Sequence, residues 1–147
     1  MNDLHNNCRT LRILSPAAAG TTGTGRTGTI IDRQDYGGVE LIMDYGAVAA
    51  TGTTITVTVL EGAVTGTMTS VADADLLGTE ALAGLAAQAR TSGVGKNVTK
   101  RVGYKGSKRY VTVKEVPTGA ASGTTNNDIV GCVAVLHSPK IAPTVNP

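Results

Sequence analysis

The chain has no tryptophan and no phenylalanine, and its only aromatic residues are four tyrosines. Carbohydrate platforms and base-stacking surfaces are built from displayed rings, so neither is well provided for here. Burial has to come from Val, Ile, Leu and Ala. Cysteine is almost as scarce. Cys8 and Cys132 stand far apart with no C-x-x-C spacing, which argues for two small buried side chains rather than a metal or redox pair. A bridge between the terminal segments stays open once the protein leaves a reducing compartment. The formal net charge of +2 is too small to point to nucleic acid from totals alone. No apolar run approaches membrane-spanning length, so no membrane partner is expected. The opening MNDLHNNCRTLR lacks the cationic-then-apolar shape of a signal peptide, and synthesis in a cytosol is the expectation. The glycosylation-like Asn97-Val98-Thr99 then has no consequence.

What the chain does have is glycine, at 19 residues, with threonine throughout. Glycine with β-branched residues favours strands and tight turns. A length of 147 residues fits one domain with a real core. Thr54 to Leu60, TITVTVL, sets Ile55, Val57 and Val59 against Thr54, Thr56 and Thr58 with a period of two. Val39 to Tyr45 does the same with Val39, Leu41, Met43 and Tyr45, and Arg9 to Leu14 alternates Leu11 and Ile13 against Thr10 and Arg12. Thr29 to Arg33 reads as a short strand, turned back at Tyr36-Gly37-Gly38. Val98 to Tyr104 and Arg109 to Val116 flank Lys105-Gly106-Ser107 and read as a hairpin. Ile129 to Leu136, IVGCVAVL, is apolar without alternation, the pattern of a strand covered on both faces. Leu and Ala between Asp75 and Arg90 favour a short helix from Thr79 to Ala89, with an irregular loop as the alternative because Gly78 and Gly84 oppose the helix. The fold expected is a single mostly all-β domain over residues 1–147, an antiparallel β-sandwich or barrel of about seven or eight short strands with one short helix. An N-terminal arm (about 1–8) and a Pro-rich tail (about 138–147) extend from it, since the prolines of SPKIAPTVNP bar a central strand.

Several stretches imitate catalytic or binding motifs. Gly20 to Thr27, GTTGTGRT, comes within one residue of a phosphate-binding loop, and GTGRTG satisfies the dinucleotide spacing. Both motifs must open a helix, whereas Thr29-Ile30-Ile31 reads as a strand, and Arg26 stands where lysine is needed. The stretch reads as a surface loop. Asp73-Ala74-Asp75 starts like a calcium loop, but Leu77 and Gly84 fall where oxygen ligands are required, so the aspartates read as turn residues. Ser138, His137 and Asp128 make a triad only on paper. No catalytic, cofactor or metal residue is assigned, and no enzyme activity or cofactor is expected.

The one concentrated feature is basic. Lys96, Lys100, Arg101, Lys105, Lys108, Arg109 and Lys114 fall in one stretch, with Tyr104 and Tyr110 interleaved. A solvated hairpin that discourages edge pairing ranks first, a docking face for an acidic protein second, and a nucleic-acid groove third. Tyr104 shares a face with Val98 and Val102, so its ring is expected to be half-buried.

The series TSVADADLLG (Thr69 to Gly78), VGYKGSKRYVTV (Val102 to Val113) and a final apolar strand running into HSPKIAP resembles the small structural proteins encoded beside capsid genes in tailed bacteriophages. The match runs from about Gly28 onward, and it rests on structural motifs such as ITVTVLEG and G-Y-x-G-x-x-R-Y-V. The resemblance implies a β-rich head decoration (cement) protein, assembled in the bacterial cytoplasm onto the capsid exterior. It would bridge major capsid protein subunits, often as a trimer, and bring no catalytic residues. Partner contacts are then expected from the terminal segments and the basic stretch: Asn2, Leu4, Arg9, Arg12, Lys105, Lys108, Arg109, Lys140 and Ile141. Another virion component, a head–tail connector, tail or host-binding sandwich protein, is the alternative, followed by a nucleic-acid binder.

Overall fold

The computed structural model describes residues 4–46, 52–87, 91–92, 95–119 and 125–141. In chain order these form α1 (Leu4–Asn7), β1 (Cys8–Thr21), β2 (Arg26–Thr27), β3 (Ile31–Asp32), β4 (Tyr36–Tyr45), β5 (Thr54–Val64) and β6 (Thr67–Ser70). A 3-10 turn (Asp73–Asp75) leads to β7 (Leu76–Leu77), α2 (Glu80–Ala83), β8 (Thr91–Ser92), β9 (Gly95–Lys96), β10 (Val98–Tyr104), β11 (Tyr110–Thr118) and β12 (Thr125–Pro139). One sheet has the order β1-β12-β4-β10-β7, and a second has β2-β11-β5-β6 with β3 also on β11. Both are antiparallel and open, so the fold is a sandwich and not a barrel. Among the described residues ten strands build the two sheets, more than the seven or eight expected. Residues 29–33 supply only β3 of the expected longer strand.

The alternating patterns place the core. Val39, Leu41, Met43 and Tyr45 of β4 face Ile55, Val57 and Val59 of β5, joined by Val102 and Tyr104 of β10 and Val111 and Val113 of β11. With no Phe or Trp to fill the centre, Tyr45 and Tyr104 are the largest fully buried side chains. A buried phenol needs a partner for its hydroxyl. Tyr45 donates to the Ala83 carbonyl at 2.6 Å, and Tyr104 donates across the sandwich to Glu61 of β5.

Four local expectations fail, each for a visible reason. β10 and β11 are not a hairpin: β10 pairs with β4 and β7, β11 with β5, β2 and β3, so residues 105–109 carry the chain from one sheet to the other. Local turn chemistry does not distinguish these outcomes. The turn before β4 lies at Arg33–Tyr36, where the Tyr36 N–H donates to the Arg33 carbonyl and Asp35 adopts φ 70°. Gly37 and Gly38 belong to β4 and are small because Ser138 and the His137 ring pack on them. β12 is central, between β1 and β4, but covered on one face only, with Ile129 and Val133 exposed on the other. The Leu/Ala segment makes a single helical turn. Its Thr79 cap accepts from the Leu82 N–H, and after Gly84 the backbone of Leu85 exchanges two hydrogen bonds with Ile55. Residues 88 and 89 of the expected helix lie outside the described residues.

Candidate functional site: one pole of the sandwich

Strand register brings distant segments to one end of the molecule. Cys8 lies opposite His137, Pro139 opposite Tyr36, and Tyr104 opposite Val39. The start of β1, the end of β12 and the corner between β10 and β11 therefore share a pole. The glycine-rich turn at Thr22–Gly25 lies at the other end, where the Gly23 N–H donates to the Pro117 carbonyl.

Of the residues expected at an interface, Leu4, Lys105, Lys108, Arg109, Lys140 and Ile141 come together at this pole. Leu4 is 72% exposed and Ile141 80%, large values for isolated aliphatic side chains. Arg9 and Arg12 lie instead within β1, paired with Leu136 and Val133. Arg12 is exposed, whereas Arg9 is partly covered. Asn2 and residues 142–147 of the tail lie outside the described residues. The basic stretch is split by the corner. Lys100 turns inward and donates to the Gly84 carbonyl at 2.7 Å, and Arg101 lies near Glu40 at 3.5 Å.

What remains at the pole is a concavity lined by Arg33, Gln34, Asp35, Tyr36, Gly37, Ser107, Lys108, Arg109 and Lys140. Three chain segments make it, and backbone bonds fix them: Arg33 N–H to the Arg109 carbonyl at 3.0 Å, Lys140 N–H to the Asp35 carbonyl at 2.8 Å. Both guanidinium groups are held. Arg33 lies 5.1 Å over the Tyr104 ring and donates to the Gly106 carbonyl at 2.6 Å. Arg109 lies 5.1 Å over Tyr110 and forks onto the Asp32 carboxylate, whose pKa that hydrogen bond lowers. The sequence reading missed Arg33, which sits about 70 residues upstream of the corner it joins. Its only signal was the Arg-Gln-Asp turn between two strands.

No protein-family model matches the chain. No curated protein matches it either.

The motif imitations resolve structurally. Arg26 of the glycine-rich stretch is engaged within the protein. Its guanidinium donates to buried Glu115 at 2.7 Å, to the Ser15 carbonyl at 3.1 Å and to the Val130 carbonyl at 2.8 Å, tying the two sheets. Asp128 and His137 stand nine residues apart on one strand, about 30 Å by strand rise, so the paper triad cannot assemble. Cys8 and Cys132, five residues out of register, are too far apart for a disulfide, and none joins them. Burial pushes the Cys132 thiol up to about 12, which makes it a packing residue at neutral pH.

Tyr104 supports the concavity from beneath. Its hydroxyl donates to Glu61 and accepts the Lys108 N–H at 3.0 Å. Burial first, then the bond to Glu61, pushes its pKa up to about 12. From an ordinary value of 10.0, the unfolded chain therefore loses this proton before the folded one does, and stability falls as pH rises across that interval. Tyr104→Phe leaves the Lys108 N–H and Glu61 without their partner and is expected to cost about 1–3 kcal/mol at neutral pH. It should also flatten the alkaline decline in urea midpoint. An unchanged alkaline profile in the variant would contradict this assignment.

Proposed function

We propose that this chain is a structural virion protein of a tailed bacteriophage, a decoration protein that binds the outside of the major capsid protein shell and stabilises it. The observation that supports this reading best is the convergence at one pole. Two strongly exposed aliphatic residues, Leu4 and Ile141, flank a basic corner at the end of a rigid sandwich. Exposed apolar groups beside charge suit a protein whose work is contact. A shell offers the same surface many times, so modest individual contacts on a trimer would add up by multivalency.

Purified protein should co-sediment saturably with shells assembled from the major capsid protein of the same genome, and raise the temperature at which those shells open. Leu4→Glu together with Ile141→Glu should reduce the bound amount several-fold while leaving the melting temperature of the free protein unchanged, because neither residue contributes to the core. Protein that stays in the supernatant at all concentrations would refute the proposal.

A further inference from the structure

We infer that the polar concavity at the basic corner is a recognition site for a protein segment bearing adjacent carboxylates. Four of its lining residues are cationic (Arg33, Lys108, Arg109 and Lys140), against one carboxylate, Asp35. Counting Asp32, already engaged by Arg109, the local excess is two charges, equal to the +2 of the whole chain. Like charges are thus gathered here, while the charges of the rest of the chain sum to zero.

The four cations divide into two kinds. Arg33 and Arg109 are oriented in advance, each stacked on a tyrosine and each bonded to a fixed oxygen. A guanidinium has five donors, so each keeps some for a ligand without losing further side-chain freedom. Lys108 and Lys140 have no carboxylate within ion-pair distance among the described residues, and they supply the uncompensated charge. Ser107 and Gln34 add neutral hydrogen-bonding groups to the lining. This combination matches an oxygen anion with two or more acceptors.

The geometry favours a protein ligand over nucleic acid. A single strand needs a basic track and open ring faces. Here four cations line a compact hollow, and of the neighbouring basic residues Lys100 is turned to the Gly84 carbonyl and Arg101 sits beside Glu40. The Tyr104 and Tyr110 rings are each overlaid by a guanidinium. Neither is offered to a base.

The inference builds on the contact-face reading, but its test needs no shells. Hexaglutamate is titrated calorimetrically into the intact protein at low salt, with hexaglutamine as the neutral control. Saturable binding to hexaglutamate alone is expected, weakening as salt rises. Lys108→Gln with Lys140→Gln should weaken it about tenfold, because two of the attracting charges are gone. Lys114→Gln, on β11 outside the lining, should change it little. The inference falls if hexaglutamate does not saturate, or if Lys114→Gln weakens binding as much as the pair does. It also falls if a single-stranded oligonucleotide binds more tightly through the same two lysines. Hexaglutamate binding without shell binding would count against the decoration reading alone. Shell binding with no hexaglutamate binding would count against the carboxylate site alone.

Discussion

Arg26→Met is expected to destabilise the protein by about 3–5 kcal/mol, the cost of leaving a buried carboxylate without its cation. Glu115 has no exposed side-chain surface, and Arg26 is its charge partner. The same guanidinium also holds the Ser15 and Val130 carbonyls in the other sheet, so its loss loosens the sandwich at two further points. Desolvation already raises the Glu115 pKa, with Arg26 pulling it back. In the variant that pull is gone. A carboxyl with a raised folded pKa binds its proton more tightly when folded, so unfolding free energy should fall as pH rises through and above the ordinary carboxylate range. The parent should show the same sign with smaller amplitude. Pairing the change with Glu115→Leu removes the stranded charge, and urea midpoints should return most of the way to the parent. A double variant as unstable as Arg26→Met alone would show that the carbonyl contacts, not the ion pair, dominate.

The second large effect belongs to Gly25. A Cβ at this position would lie 1.8 Å from the Glu115 carbonyl oxygen, and the residue adopts φ +66°. Both the backbone conformation and the space exclude a side chain, so Gly25→Ala should cost about 3 kcal/mol or more from combined clash and strain. Gly66 is the matched comparison. Nothing lies within 4 Å of its Cβ position. Gly66→Ala should be neutral or stabilise by up to about 1 kcal/mol through the unfolded chain. Thermal melts of the two variants side by side test the claim, and similar small losses in both would refute it. The glycines that imitate a phosphate loop are thus required by a tight turn packed on β11.

The layers of the fold were legible because alternation reports which face is dry. Val39 to Tyr45 and Ile55 to Val59 point inward as their spacing indicates. Pairing was less legible. Lys105-Gly106-Ser107 has the local chemistry of a hairpin, yet the chain crosses between sheets there, since β4 and β7 already occupy both sides of the Gly103–Tyr104 end of β10. Buried Glu115 was equally hidden. Its position in the inward series Val111, Val113, Glu115 was the signal, but its partner Arg26 lies 89 residues away, a distance no local pattern spans. Of the candidate site, Lys108, Arg109 and Lys140 were found by charge and by position near the tail. Arg33 was missed because only tertiary register joins it to them.

The placement of β12 bears on how the molecule reaches its native state. β12 lies between β1 and β4, so neither can complete its hydrogen bonding until the ribosome has delivered the chain past residue 125. Until then the apolar edge of β4 has only β10 beside it, while β5, β6 and β11 can already assemble. Such high contact order slows folding and prolongs the lifetime of unpaired edges. Nascent chains truncated before residue 125 should therefore depend on chaperones in a way the chain that includes β12 does not.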